Sequence, residues 1–127
     1  SNGELRISGV EGSVLDALAF LEVREARLSL LTSSDALAWL AWAGASGGAH
    51  GRRRGNALGR DAAWWTVAAL TGQASNWPLG DEDSITAVNS LQWFWWDANE
   101  ATTGWNAQLC VHHADRNRSW AFMLTDK

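Results

Sequence analysis

The segment Trp105-Asn106-Ala107-Gln108-Leu109-Cys110-Val111-His112 alternates apolar and polar residues, and this pattern decides the fold class. A period of two is typical of a β-strand with one buried face. Residues 114–117 form a turn signal, and residues 119–124 form a second apolar, extended segment. Together with the aromatic segment 92–96 before them, they predict an antiparallel meander at the C-terminal end of the chain.

The aromatic run Trp93-Phe94-Trp95-Trp96 places aromatic side chains on both faces of its strand, since neighbouring residues of a strand point to opposite sides. One face is expected to pack against helices. The other needs a loop, a ligand or a second subunit to cover it. We interpret this as a prediction of a homodimer.

The remainder of the chain alternates between helical and extended patterns. Ser13 is a candidate N-cap for the first helix, and Ser33 or Ser34 for a helix starting near Asp35. The ambiguous residues 22–31 suit a helix or a strand, and the alternation after Ala26 favours the strand. The predicted elements are, in order, a strand over 5–8, a turn over 9–12, a helix over 13–21, a strand within 22–31, a helix from 35 to the glycines at 47–48, a helix over 53–70, a loop over 73–80, and one or two helical turns over 81–89.

These elements predict one α+β domain over residues 1–127, with an antiparallel sheet of three to five strands and two or three helices packed mainly on one face. Ser1-Asn2 is interpreted as an expression-tag scar. The apolar face assigned to the first helix holds Val14, Leu15, Leu18 and Leu21, and the face assigned to the helix over 53–70 holds Ala57, Leu58, Ala62, Trp65 and Ala69. Three tryptophans are predicted to be buried: Trp39, Trp65 and Trp120.

The composition narrows the function classes. The net charge of −4 argues against a nucleic-acid-binding protein, and no apolar run is long enough to cross a membrane. The lone Cys110 excludes an internal disulfide and is expected to be a buried structural thiol. We therefore expect a cytoplasmic protein without a cofactor. The ten tryptophans are expected to build a tryptophan-rich core, and the alternative is that some of them line a groove for sugars, bases or a peptide.

Residues 44–60 are the most unusual segment, because they hold six glycines and four arginines without an acidic residue. If helix persists through them, five glycines share one face and allow another element, or a second subunit, to pack closely: Gly44, Gly48, Gly51, Gly55 and Gly59. If the chain turns at the glycines instead, a helix N-terminus and the guanidinium groups would form an anion site made of Arg52, Arg53, Arg54 and Arg60. A third interpretation is contact with nucleic acid.

The histidines do not indicate a metal site. His112 and His113 are neighbours on a strand and therefore face opposite sides, so no metal is predicted. His50 lies in the glycine-rich segment, and a loop residue that forms hydrogen bonds is the expected role. Its alternative role is the acid or base of a small enzyme.

The stretch from Trp42 to Gly55, followed by Gly59-Arg60 and Ala63-Trp64-Trp65, resembles a small group of uncharacterised actinobacterial proteins. The resemblance covers about residues 35–70. It implies that the glycine- and arginine-rich segment is a family feature and that the source is a high-GC actinobacterium. No activity and no site residue can be inferred for this chain from the resemblance.

The function that we predict is that of a binding or regulatory domain whose segment 44–60 contacts an anionic group, such as an anionic small molecule, or packs closely in a homodimer. One alternative is a small enzyme that acts on a phosphorylated or carboxylated substrate through His50. A second alternative is nucleic-acid contact through the Arg cluster, which the acidic net charge disfavours.

Overall fold

The computed structural model describes residues 4–46, 56–98 and 105–126, and these residues form an α+β fold. The described chain holds five strands in one antiparallel sheet: β1 Glu4–Glu11, β2 Arg27–Leu31, β3 Leu91–Asp97, β4 Trp105–His113 and β5 Arg118–Asp126. The sheet order is β1-β5-β4-β3-β2, so β1 and β2 are the two edges. The predicted sheet of three to five strands is confirmed.

Four α-helices accompany the sheet in the described residues: α1 Val14–Phe20, α2 Ser33–Ser46, α3 Asn56–Leu70 and α4 Asp81–Asn89. The structure has one helix more than the two or three predicted, because residues 81–89, predicted as one or two helical turns, form the complete helix α4. Three carboxylates in its first turn favour the positive end of the helix dipole. No helix within the described ranges has the length and apolar character that a membrane span needs.

The helices divide unequally between the faces of the sheet. Helices α2, α3 and α4 lie on the face that carries Trp93, Leu109 and Val111. Helix α1 lies on the opposite face, against Trp96 and Cys110. The alternation along β3 and β4 thus supplies two apolar layers, as the aromatic run implied.

Helix α1 covers the sheet face that we expected a second subunit to cover. Its capping box at Ser13 fixes its start, since Ser13 Oγ accepts a hydrogen bond from the Asp16 backbone N–H and the Asp16 carboxylate accepts from the Ser13 N–H. Trp96, below this layer, is 1% exposed. The homodimer remains a prediction, but the argument that Trp96 needs a second subunit to cover it no longer applies, because α1 covers it. Within α1 the core position is Ala17 rather than Leu15, which is exposed.

The assignment of Trp65 to the core was wrong, because the buried stripe of α3 is displaced by one or two residues from the predicted one. Ala63, Val67 and Ala68 are buried, whereas Trp65 is 50% exposed. Trp64 packs against the core cluster instead. This half of α3 is apolar around most of its circumference, so its contacts with α2 and α4 select the buried side. Two other tryptophans predicted to be buried are half-buried and pack against the same cluster: Trp39 and Trp120.

Two local boundaries also differ from the sequence-based expectation. Strand β1 continues to Glu11, so the predicted turn over 9–12 is reduced to its last position, Gly12, with φ of 125°. Helix α2 begins at Ser33, and the side-chain oxygen of Thr32 accepts from the Asp35 backbone N–H. Thr32 therefore provides the cap that we assigned to a serine.

Candidate functional site

Polar side chains meet at the end of the sheet where β4 turns into β5. Residues Ala114–Arg116 form one turn of 3₁₀-helix, and Asn117 adopts the left-handed conformation with φ of 47°. This tight connection places His113 directly opposite Arg118, and Leu91 of β3 lies on the other side of His113. All three residues lie on the face that carries α2, α3 and α4.

Within the part of the chain that the structure describes, three buried nitrogen atoms near this end of the sheet have no hydrogen-bond partner: Trp93 Nε1, His113 Nδ1 and Arg118 Nε. Their residues lie on three adjacent strands and one face. Trp93 and His113 are almost completely buried, at 1% and 5% exposure. A buried polar atom without a partner costs about 1–3 kcal/mol, so such a group calls for an explanation. We name these three residues the sheet-end cluster.

Trp96 shows what the same residue type does when its donor is satisfied. It is as buried as Trp93, and its Nε1 donates to the Phe122 carbonyl oxygen at 3.2 Å. The two tryptophans belong to the same strand and point to opposite faces. The unpaired indole donor is therefore a property of the sheet-end cluster, not of tryptophans in this strand.

The environment of His113 disfavours its protonated form. Burial lowers the pKa of His113 from its ordinary 6.5, and the nearby Arg116 guanidinium lowers it further. Asp115 opposes these effects, with a carboxylate oxygen 3.8 Å from His113 Nε2. His113 is therefore neutral near pH 7, and an approaching anion would favour its protonation.

Charged groups of both signs border the sheet-end cluster, with Arg116 near His113 in addition to Asp115. A Cβ atom on Gly72, which follows α3 and has φ of 77°, would contact Arg116 Nη1. The Arg116 guanidinium thus lies beside the carboxyl end of α3, where the helix dipole favours a cation. Arg118 adds a second guanidinium, and Glu11 of β1 lies opposite it in the ladder.

The hydrogen-bond donors of this cluster are suited to binding an oxyanion. An indole N–H and a guanidinium N–H both donate, and both match carboxylate or phosphate oxygens. The nucleophiles nearby are inert. Ser119 is fully buried and donates to the Gly12 carbonyl oxygen at 2.7 Å, while burial raises the pKa of the Cys110 thiol to about 12.

His112 lies on the α1 face, which confirms that the two neighbouring histidines point to opposite sides. Its Nδ1 is 2.6 Å from Ser119 Oγ. Because Ser119 uses its own proton toward Gly12, His112 Nδ1 is the donor in this contact. The chain His112–Ser119–Gly12 joins β4, β5 and the start of α1, so it is a structural network. Among the described residues, no group of three or more His, Cys, Asp or Glu side chains could hold a metal ion.

The glycine- and arginine-rich segment remains a prediction, since residues 47–55 lie outside the described ranges. These include His50, Arg52, Arg53 and Arg54, as well as the glycines Gly48, Gly51 and Gly55. Of the remaining members, Gly44 belongs to α2, and Gly59 and Arg60 belong to α3. Arg60 is exposed.

Sequence reasoning did not identify the sheet-end cluster. The signal was the hairpin itself, where His113 and Arg118 flank a four-residue connection and must become cross-strand neighbours. The missing partner of Trp93 could not be foreseen, because it depends on side chains from distant parts of the chain.

Comparison with known proteins identifies a family whose function is unknown. No curated protein and no solved structure matches the chain. A family model described as a family of unknown function, DUF6183, matches residues 4–127 and so spans nearly all of the chain. The protein therefore belongs to the DUF6183 family.

Proposed function

We propose that this protein is a small binding or regulatory domain that recognises an anionic group, and that the sheet-end cluster holds that group. One observation carries the proposal: Trp93, His113 and Arg118 hold nitrogen atoms on one face near the end of the sheet that find no hydrogen-bond partner among the described residues. An oxyanion supplies the acceptors that the indole and guanidinium donors lack. The ligand class is a carboxylate or a phosphate.

The energetics favour an occupied cluster. A hydrogen bond that involves a charged group contributes about 1.5–3 kcal/mol, and two such bonds would give detectable binding. The neutral state of His113 adds a pH dependence. Because an anion favours protonation of His113, binding should strengthen as the pH falls toward the lowered pKa of His113 in the free folded protein.

The segment 44–60 is the second place where this chain could meet an anion, and the support for it comes from the sequence. Its four arginines and turn-forming glycines suit either an anion or close packing between two copies of the chain. The acidic net charge disfavours nucleic acid at this segment, and no observation favours an enzyme that uses His50. We place the protein in the cytoplasm as part of the same proposal.

Thermal unfolding with sodium phosphate or sodium chloride at equal ionic strength tests the proposal. Phosphate should raise the midpoint above the chloride value, since a ligand that binds only the folded state stabilises it. Arg118→Gln should abolish that difference if the sheet-end cluster binds. Arg52→Ala with Arg53→Ala should abolish it if the glycine- and arginine-rich segment binds.

Arg24→Gln is the matched control, because Arg24 is exposed and lies in the loop between α1 and β2. It should leave the phosphate effect unchanged. If Arg118→Gln and Arg24→Gln reduce the effect equally, the response reflects total charge and the sheet-end cluster is not the site. If phosphate gives no specific stabilisation at pH 5.5 or pH 7.5, the proposed anion recognition is wrong.

A further inference from the structure

Strand β2 is an edge of the sheet with apolar surface on both faces. Its residues Arg27–Leu31 pair only with β3 in the described chain. On the α1 face, Leu30 is 69% exposed, and Leu28 beside it is half-buried. An open edge of this kind offers a row of backbone groups to another strand.

The other face of β2 borders a groove of about 450 Å³. Its described lining consists of Leu31 from β2 and Asp35, Ala38 and Trp39 from α2. Trp39 lies against Trp95 with ring centroids 4.8 Å apart, so one wall is aromatic. Asp35 adds a carboxylate that is not part of the helix cap, because its backbone N–H makes the contact to Thr32.

We infer that β2 pairs with β2 of a second copy of this chain, antiparallel and centred on Ser29, and that Arg27 of each copy enters the groove of the other. A two-fold axis perpendicular to the sheet keeps each side chain on its own face. Centring the pair on Ser29 is the register that uses all five residues of β2.

This register is self-complementary on both faces. On the α1 face it sets Leu28 opposite Leu30 of the second copy, and the contact covers the exposed leucine. On the α2 face it sets Arg27 opposite Leu31 of the second copy, next to the groove. A guanidinium there meets the Asp35 carboxylate and the Trp39 ring, which is the pairing that arginine favours.

At the other edge of the sheet, the symmetric registers that use most of β1 lack this complementarity. Pairing β1 with itself around Ser8 would set Arg6 opposite Val10, and pairing around Ile7 would set it opposite Ser8. Moreover, Arg6 already donates from Nη2 to the Leu21 carbonyl oxygen at 3.0 Å. The charge pattern therefore selects β2.

Sedimentation equilibrium of the complete chain at micromolar concentrations tests the inference. The unaltered protein should sediment at twice the 13.8 kDa of one chain. Arg27→Glu and Asp35→Arg should each raise the dimer dissociation constant at least about tenfold, because each reverses two symmetry-related pairs at once. Combining the two substitutions restores opposite charges and should bring the constant back to within about threefold of its original value.

Arg24→Glu makes the same change of charge outside β2 and should leave dimerisation unchanged. Arg27 also faces Asp97 within its own sheet, so the thermal midpoint of each variant separates lost pairing from lost folding. A monomer at every concentration would overturn the inference. So would a dimer that both single substitutions leave intact, or a double variant that fails to recover.

Discussion

The two buried tryptophans of β3 form a matched pair that tests whether the sheet-end cluster contains an unsatisfied donor. Trp93→Phe and Trp96→Phe remove the same atoms from side chains that are equally buried, so the loss of packing is similar in both. The indole nitrogens differ. Trp96 Nε1 donates to the Phe122 carbonyl oxygen, whereas Trp93 Nε1 has no hydrogen-bond partner in residues 4–46, 56–98 and 105–126.

The expected difference follows from these two environments. Trp96→Phe gives up a hydrogen bond, which contributes about 0.5–1.5 kcal/mol. Trp93→Phe removes a donor whose unpaired burial costs about 1–3 kcal/mol. In a buffer without oxyanions, Trp93→Phe should therefore be less destabilising than Trp96→Phe by at least about 1.5 kcal/mol.

Urea unfolding followed by far-ultraviolet circular dichroism measures this difference. Fluorescence is a poor choice, since the chain has ten tryptophans. Unchanged denaturant slopes would confirm that the two variants unfold as the natural protein does. If Trp93→Phe is as destabilising as Trp96→Phe, or more so, the donor of Trp93 is satisfied in the free protein and the reasoning behind the site fails.

Three further predictions concern the rest of the fold. Trp65→Ala should change the free energy of unfolding by less than about 1 kcal/mol, because Trp65 is half-exposed. Val67→Ala, at a fully buried position of the same helix, should lower the free energy of unfolding by at least about 1 kcal/mol, and thermal unfolding measures both changes. Because the pKa of His113 is lowered in the folded protein, the unfolded chain binds more protons below pH 6.5; stability should fall as the pH drops through that value, and His113→Gln should reduce the slope of a pH series. Cys110, whose pKa is raised to about 12, should resist a thiol reagent at pH 8 until urea unfolds the protein.

The β-meander was predictable because strand alternation is a local property. Apolar residues at every second position of β4 indicated its buried face, and Leu109 and Val111 are indeed in the core. Strand β2, at the end of the ambiguous residues 22–31, was predictable in the same way, because polar and apolar residues alternate along most of it.

The orientation of α3 was less predictable because its sequence offers no single apolar stripe. Ala, Trp and Val residues follow one another from Ala62 to Leu70, so several faces are equally apolar. Contacts with other elements decide that Val67 points inward and Trp65 outward. Such tertiary contacts are not readable from periodicity.

The candidate site illustrates the same limit. Sequence reasoning drew attention to the arginines of segment 44–60, because charge density along the chain is visible in a sequence. The sheet-end cluster combines one residue from each of three strands. The register places Trp93 two ladder positions from the row that joins His113 and Arg118, and this register is not visible in the sequence. The orphaned donor of Trp93 is a property of its surroundings and leaves no mark in the sequence.

Two-dimensional ¹H–¹⁵N spectra of the indole N–H groups show whether phosphate binds beside Trp93. Phosphate should be titrated at constant ionic strength, with Trp93→Phe and Trp96→Phe used to assign the two signals. If the sheet-end cluster binds the anion, the Trp93 signal moves in a saturable way while the Trp96 signal, held by Phe122, stays in place. A Trp93 signal that does not move, or that moves no more than the Trp96 signal, would contradict anion binding at this site.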